Sequence, residues 1–394
     1  MRPQQPTIIN LTEYQTRYLS REQFSAEAGE LLHRNYKNQV EVDFPTIKTD
    51  DHWRLTAQGW VGRIPLTPDI HIVLQPKAPL GNLFRMLEVA YSLNSFRFLD
   101  GLVQYQSLDE FYTYLARTLS RRVLERGRKG FQRAYVSQTD TLPYLRGRMD
   151  TGQIARRPVQ AQLQCHYQQH TTDIEDNQLL AWTLFKIARS GACAEWALPA
   201  VRQAYRVLQG AVTLQPFDSQ ACLERVYTRL NDDYRPLHAL CRFFLEQRGP
   251  THRQGDRAMM PFLVDMARLY ELFAAEWLQK HAPEHLIVKI QEPVDNREVS
   301  AIIDVVLVDA NTGTTRAVLD TKYKVTGRPD TADIFQVVAY AKDKQCRQAI
   351  LLYPAPTAQP LDTMWDDIHV RSLTFALDGD LEMAGQQFLQ QLLA

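Results

Sequence analysis

The sequence predicts a multidomain protein of mixed α/β and α+β class. It divides into a β-rich N-terminal domain over residues 1–108, a helical middle region over 109–250 and a C-terminal αβββαβ domain over 256–394. Three observations carry that prediction. A length of 394 residues suits two or three domains. The composition, 45% hydrophobic and 23% charged with no net charge, is that of ordinary globular proteins and excludes disordered and collagen-like chains. The hydrophobic period changes from short alternating runs, to four-residue spacing, to strands interleaved with helices.

The first 80 residues alternate in short apolar runs, Val40–Phe44, Trp60–Ile64 and Ile70–Leu74, separated by Pro, Gly and Asp, with one helix expected around Arg21–His33. Asn82 is placed to cap a helix running to Tyr91. Phe111, Leu115, Leu119 and Val123 recur every four residues and predict a helix closed by Gly127 and Gly130. Leu180, Leu184 and Ile187 open a second helical block that continues with interruptions to about Arg248. Gly249-Pro250 and Gly255, within Gln247–Asp256, mark a domain boundary. Beyond it the pattern predicts a helix over Met259–His281, strands over Leu286–Ile290, Val299–Asp309 and Arg316–Lys324, a helix over Thr331–Lys342 and a strand over Gln348–Tyr353. Helices against a mainly antiparallel sheet are expected there.

No apolar stretch approaches the roughly 20 residues of a bilayer span, and Met1–Asn10 lacks the pattern of a secretory signal, so a cytoplasmic address with no membrane partner is expected. The five cysteines, Cys165, Cys193, Cys222, Cys241 and Cys346, are widely spaced without a Cys-x-x-Cys pair and read as buried free thiols. Charge is balanced only globally. From Arg117 to Arg157 there are eleven basic residues against three acidic ones; from Asp362 onward there are six acidic residues and one arginine. Arg121, Arg122, Arg126, Arg128, Lys129 and Arg133 in the basic segment can track a phosphate backbone or dock on an acidic partner, or simply form a solvated helix face.

Ile302–Val308 is apolar on both strand faces except at Asp304, where an unpaired charge would be costly. Asn311-Thr312-Gly313 forms a turn, and a hairpin centred on Thr312 sets Asp304 opposite Asp320. Directly opposed carboxylates, about 4.5–5.5 Å apart at Cβ, destabilise a sheet unless a cation joins them. The two-residue strand period puts Lys322 on the face of Asp320 and sends Leu319 and Tyr323 to the other. Such a set can hold Mg²⁺ and activate water, or can be a salt-bridged hairpin of Asp320 with Lys322 or Lys324. On the preceding helix Glu271, among Ala267, Ala274 and Ala275, can approach a metal or pair with Arg268. On the following helix Gln336 and Tyr340 share a face. His166 and His170 lie in an extended stretch and carry no assigned chemistry, and Trp53 and Trp60 read as core.

Taken in order, Glu271, Asp304, Asp320-Thr321-Lys322 and Gln336-x-x-x-Tyr340 resemble the PD-(D/E)xK nucleases, particularly those with the RecB-like Gln-x-x-x-Tyr extension; Ile303 stands where that family usually has proline. The resemblance implies metal binding by Asp304, Asp320, the Thr321 carbonyl and Glu271, a catalytic Lys322, and Gln336 and Tyr340 lining the site. Mg²⁺ is the implied cofactor, with Mn²⁺ able to substitute. Upstream, Gly62-Arg63-Ile64 to Gln75-Pro76-Lys77, Asn82–Leu87, Arg126-Gly127 with Tyr135, Leu145–Asp150 and Asp173–Leu180 resemble the McrC family, the nuclease subunits of McrBC modification-dependent restriction systems. That resemblance implies an McrB-like AAA+ GTPase ring as partner, stimulated by this chain, and double-stranded DNA carrying modified cytosine such as 5-methylcytosine as substrate. The β-rich and helical N-terminal portion would dock on the ring. The sequence contains no Gly-x-x-x-x-Gly-Lys-[Ser/Thr], so this chain is expected to bind no nucleotide. A non-cleaving activator of an AAA+ ring and a RecB-like DNA-end nuclease are the alternative functions.

Overall fold

A computed structural model describes residues 6–93, 107–149, 162–247, 252–254, 257–259, 261–294, 301–324 and 326–394. Asp150, Arg156, Arg157, Gly249, Pro250, Gly255 and the predicted strand start at Val299 lie outside them. The chain divides into two units: residues 1–111 together with 247–394, and residues 112–246.

The N-terminal part of the first unit contains β1 (Thr7–Thr12), β2 (Thr16–Leu19), α1 (Ala26–Tyr36), β3 (Val40–Asp43), β4 (Trp53–Ala57), β5 (Trp60–Pro65), β6 (Ile70–Gln75) and α2 (Leu80–Ala90). Two corrections to the expected helices follow from local chemistry. Helix α1 begins only after Ser25, whose side chain accepts from the Ala28 N–H, and not near Arg21. Asn82 lies inside α2 and does not cap it; its amide instead donates to the Leu377 and Gly379 carbonyls at 2.8 Å. The apolar positions of the strands and of α1 make one core, in which Trp53 is buried edge-on to Phe24 and Trp60 is partly buried.

The boundary between units falls inside α3 (Leu108–Lys129). The second unit continues with β7 (Ala134–Leu142), β8 (Arg148–Met149), β9 (Leu163–Thr171), α4 (Glu175–Arg189), α5 (Leu198–Gln209) and α6 (Tyr234–Glu246). It is helical apart from the three-stranded sheet β7-β9-β8, whose long β7/β9 pairing carries His166 and His170. All five cysteines are buried and free.

The chain then returns to the first unit through β10 (His252–Gln254), β11 (Arg257–Met259) and β12 (Phe262–Asp265). This corrects the predicted helix start at Met259. Phe262, Leu263 and Val264 are consecutive and buried, which a one-sided surface helix cannot arrange, and they pair antiparallel with β5 as the edge of the sheet β1-β6-β5-β12. Helix α7 (Met266–His281) starts only where the Asp265 carboxylate accepts the Ala267 and Arg268 N–H groups.

The remaining elements are β13 (Leu286–Pro293), β14 (Ile302–Asp309), β15 (Thr315–Thr321), α8 (Thr331–Asp343), β16 (Gln348–Tyr353), β17 (Asp362–Trp365), β18 (Ile368–Thr374) and α9 (Leu381–Leu393). They form a six-stranded sheet in the order β13-β14-β15-β16-β18-β17. The sheet is mixed rather than mainly antiparallel, because β16 returns through α8 to pair parallel with β15, and β18 pairs parallel with β16. Val337, Val338, Tyr340 and Ala341 of α8 share a core with Val306, Val318, Ala349 and Leu351. Phe273 and Trp277 of α7 pack around Phe375 with Phe388 of α9.

Candidate metal-dependent active site

The β14–β15 hairpin positions the central residues. Asp309 closes its turn by accepting the Asn311 and Thr312 N–H groups, and the Arg316 guanidinium beside it, 2.6 Å away, holds its carboxyl at about 2. Gly313 adopts φ +70°, as such a turn requires. A bulge at Leu307/Val308 shifts the register near the turn. From there the pairs Leu307↔Ala317, Val306↔Val318 and Val305↔Leu319 follow the register of a hairpin centred on Thr312, which carries on to bring Asp304 beside Asp320.

Asp304 Oδ2 accepts the Thr321 N–H and the Thr321 hydroxyl, both at 2.7 Å. Asp320 Oδ2, buried, accepts from the Lys322 ammonium 2.5 Å away. Lys322 Nζ also donates to Gln336 Oε1 at 3.0 Å, and Gln336 Nε2 donates to the Tyr340 hydroxyl at 2.7 Å. Glu271 takes up the expected pairing with Arg268. Its Oε1 accepts from Arg268 at 2.6 Å and from Gln291 at 2.9 Å, and its negative charge acts on Asp304 and Asp320. Gln336 is exposed, so the cluster opens to solvent.

The electrostatics are those of crowded acids. Burial raises the Asp304 carboxyl, and the charges of Glu271 and Asp320 raise it further against the Thr321 hydrogen bonds. Burial also raises Asp320, with Lys322 opposing. For Lys322, burial works against the charged form, but Asp320, Asp333 and Asp304 outweigh it and the ammonium is held above its usual range. Asp304, Asp320, the Thr321 carbonyl and Glu271 are the hard oxygen donors that could hold a divalent cation. Among the described residues no three Asp, Glu, His or Cys side chains form a ready metal cluster. Hard oxygen donors of this kind suit an ion that takes one or two carboxylates and keeps its own waters, as Mg²⁺ does. The buried Asp320 carboxylate, close enough to Asp304 for their charges to interact, fits such an ion.

The basic residues belong to the second unit. Arg121, Arg122, Arg128 and Lys129 are exposed, the first two flanking Glu125 at 3.8 and 3.6 Å. Arg126 is largely covered, pairing with Asp233 at 3.3 Å and lying over the Tyr234 ring, and Arg133 donates to the His170 carbonyl. The Asp173–Leu180 motif in the same unit is structural. Asn177 is fully buried, donates to the Gln132 and Thr172 carbonyls and accepts from the Tyr234 hydroxyl, while Asp173 holds Gln178 and Thr213. His166 meets the Thr139 hydroxyl and His170 stacks on Tyr135.

Three contributors to the first unit's cluster are absent from the sequence reading. Asp333 lies 3.7 Å from Lys322 Nζ and 2.6 Å from Lys324 Nζ, and Lys324 also pairs with Asp330. Its position three residues before Gln336 on one helix is a spacing signal that could have found it. Gln291 holds Glu271 from a φ of +54°. Glu13, fully buried, accepts from the Lys77 N–H at 2.9 Å and from the Tyr323 hydroxyl at 3.2 Å, while Tyr14 donates to the Tyr323 carbonyl. No sequence signal links residues that far apart.

Burial lifts the Glu13 carboxyl from 4.5 to about 7, against the Lys77 N–H, the Tyr323 hydroxyl and the Lys77 charge. A carboxyl raised on folding favours the folded state while protonated. The contribution of Glu13 to stability is therefore fully present below about pH 4.5 and is lost as pH rises through 7. Glu13→Gln is expected to be more stable than the parent by about 2–3 kcal/mol at pH 8 and to lose that advantage at pH 5, as measured by denaturant unfolding at both values.

Residues 55–354, about three quarters of the chain, match the model of the McrBC 5-methylcytosine restriction system component family. No curated protein matches. Among solved structures, a refined half-complex from a tetradecameric assembly of Thermococcus gammatolerans McrB AAA+ hexamers with bound McrC is similar at TM-score 0.52 and 17% identity, covering 98% of this chain and 99% of its own. The T. gammatolerans McrBC complex solved by cryo-EM gives a TM-score of 0.43 at 17% identity, covering 71% of this chain and 89% of its own. The first shows a shared fold along the full length. Among the described residues no helix is long and apolar enough to cross a membrane. On the extent of the family match, the chain is a member of the McrBC 5-methylcytosine restriction system component family.

Proposed function

We propose that this chain is the nuclease subunit of a modification-dependent restriction complex, a Mg²⁺-dependent endodeoxyribonuclease with a C-terminal PD-(D/E)xK domain. The observation that carries the reading is the meeting of Asp304, Asp320 and Lys322 on one hairpin, with Lys322 tied through Gln336 to Tyr340. Asp304 and Asp320, with the Thr321 carbonyl and Glu271 beside them, would hold the ion. Mg²⁺, or Mn²⁺ in its place, supplies a Lewis acid that lowers the pKa of water and offsets charge on a phosphodiester. Lys322 orients the attacking water and stabilises the developing negative charge at its ammonium. Gln336 fixes the direction of that ammonium, and Tyr340 fixes Gln336.

A partner is also proposed. The similar structure contains McrB AAA+ hexamers with bound McrC, and this chain has no phosphate-cradling Gly-x-x-x-x-Gly-Lys-[Ser/Thr] of its own. An McrB-like GTPase ring would bind nucleotide and recognise modified cytosine. The β-rich N-terminal part and the exposed Arg121, Arg122, Arg128 and Lys129 would dock on the ring or on DNA phosphates, in the cytoplasm. The test combines the purified chain, its ring partner, GTP and Mg²⁺ with circular DNA carrying 5-methylcytosine. Double-strand breaks are expected. Stimulated GTP hydrolysis with no breaks would leave a non-cleaving activator, and degradation of linear DNA alone would leave an end-trimming nuclease.

A further inference from the structure

We propose that Asp333 is a positioning residue that receives the Lys322 ammonium when a divalent cation takes Asp320. The inference rests on the reading of Asp304 and Asp320 as the cation's holders and goes beyond it to a residue outside the nuclease motif. Lys322 Nζ sits 2.5 Å from Asp320 Oδ2, the buried oxygen that would also bind a cation. An ammonium at that distance and a divalent ion on the same oxygen repel each other and compete for its lone pairs, so ion binding favours an ammonium that has moved aside. The ammonium must also stay at the site.

Two acceptors are within reach. Gln336 Oε1, at 3.0 Å, is neutral and already aimed at Lys322 by the bond from Gln336 Nε2 to the Tyr340 hydroxyl. Asp333 Oδ1, at 3.7 Å, carries the charge that can compensate for losing Asp320. Asp333 is prepared for that part. Its side chain is 13% exposed, and its other oxygen is held by Lys324 at 2.6 Å, which leaves Oδ1 turned to Lys322. Lys324 is itself shared with Asp330, so the pull of Asp333 on Lys322 is tuned by how much of its charge Lys324 neutralises.

That arrangement makes two substitutions act in opposite directions. Without the Asp333 charge, Lys322 stays on Asp320 and competes with the cation. Without the Lys324 charge, Asp333 draws Lys322 away more strongly. Calorimetric titration of Mn²⁺ into the full-length chain reads this without cleavage. Asp333→Asn is expected to weaken Mn²⁺ binding about 3- to 10-fold, Asp333→Glu to restore most of it, and Lys324→Met to leave it unchanged or tighter. If Asp333→Asn and Lys324→Met weaken binding alike, Asp333 serves only to anchor the segment after β15 and the proposal is overturned. If Asp333→Asn binds Mn²⁺ as the parent does, it is overturned as well. Asp304→Asn separates the two readings. Loss of Mn²⁺ binding there with normal binding in Asp333→Asn removes only the role of Asp333, whereas undiminished binding in Asp304→Asn removes the cation site itself.

Discussion

Replacing Lys322 with alanine is expected to lower DNA cleavage by the assembled complex about a thousandfold or more, with GTP hydrolysis by the ring still stimulated. The ammonium is the only side-chain cation among the described residues that ion-pairs with Asp320, so no neighbour is placed to replace it against a charged transition state. Asp304→Ala should reach a similar loss by another route. It removes the carboxylate that Thr321 holds with two hydrogen bonds at 2.7 Å. Retained cutting by both variants would dissolve the assigned site. The Lys322 variant should also unfold more easily in chelator, by about 3 kcal/mol, because Asp320 is left buried without a counter-charge. Added Mg²⁺ should recover part of that stability by supplying a new counter-charge, which a thermal melt with and without the ion will read.

Gly62→Ala is expected to destabilise the first unit by about 3 kcal/mol or more. Gly62 adopts φ +139°, and a Cβ there would lie 2.1 Å from the Phe262 carbonyl oxygen. That oxygen belongs to β12, the strand that joins the N-terminal sheet directly before α7 begins. The clash cannot be relieved by a side-chain rotation, because both atoms are tied to backbone in paired strands. Separation of β12 from β5 would disturb the Asp265 cap and, through α7, the placement of Glu271. Gly81→Ala is the control. It meets nothing within 4 Å and lies in α2, so it should be neutral or stabilising by about 0.5–1 kcal/mol. Equal effects of the two alanines in denaturant unfolding would show that the close crossing at Gly62 does not matter.

The hairpin was legible because its causes are local. A turn of Asn311-Thr312-Gly313 and a two-residue period are enough to bring Asp304 beside Asp320 and to put Lys322 on the same side, and the observed pairs Val305↔Leu319 to Leu307↔Ala317 follow that register. Gln336 and Tyr340 were legible for the same reason, since a helix places residues four apart on one face. The late start of α7 was not. Phe262–Val264 reads equally well as helix or strand by composition, and only an available edge at β5 makes it a strand.

The amino-acid sequence by itself determined which strands and helices form at the candidate site, the register of its hairpin and the chemical types gathered there, because turns and side-chain periods act over a few residues. The tertiary structure alone decided that β12 completes the N-terminal sheet and that Glu13 reaches Tyr323 from 310 residues away. It also decided that Glu271 shares its charge between Arg268 and the acidic pair and that Asp333 turns toward Lys322. Those contacts depend on how separate elements pack, and burial, which raises the Glu13, Asp304 and Asp320 carboxyls, exists only once they have packed.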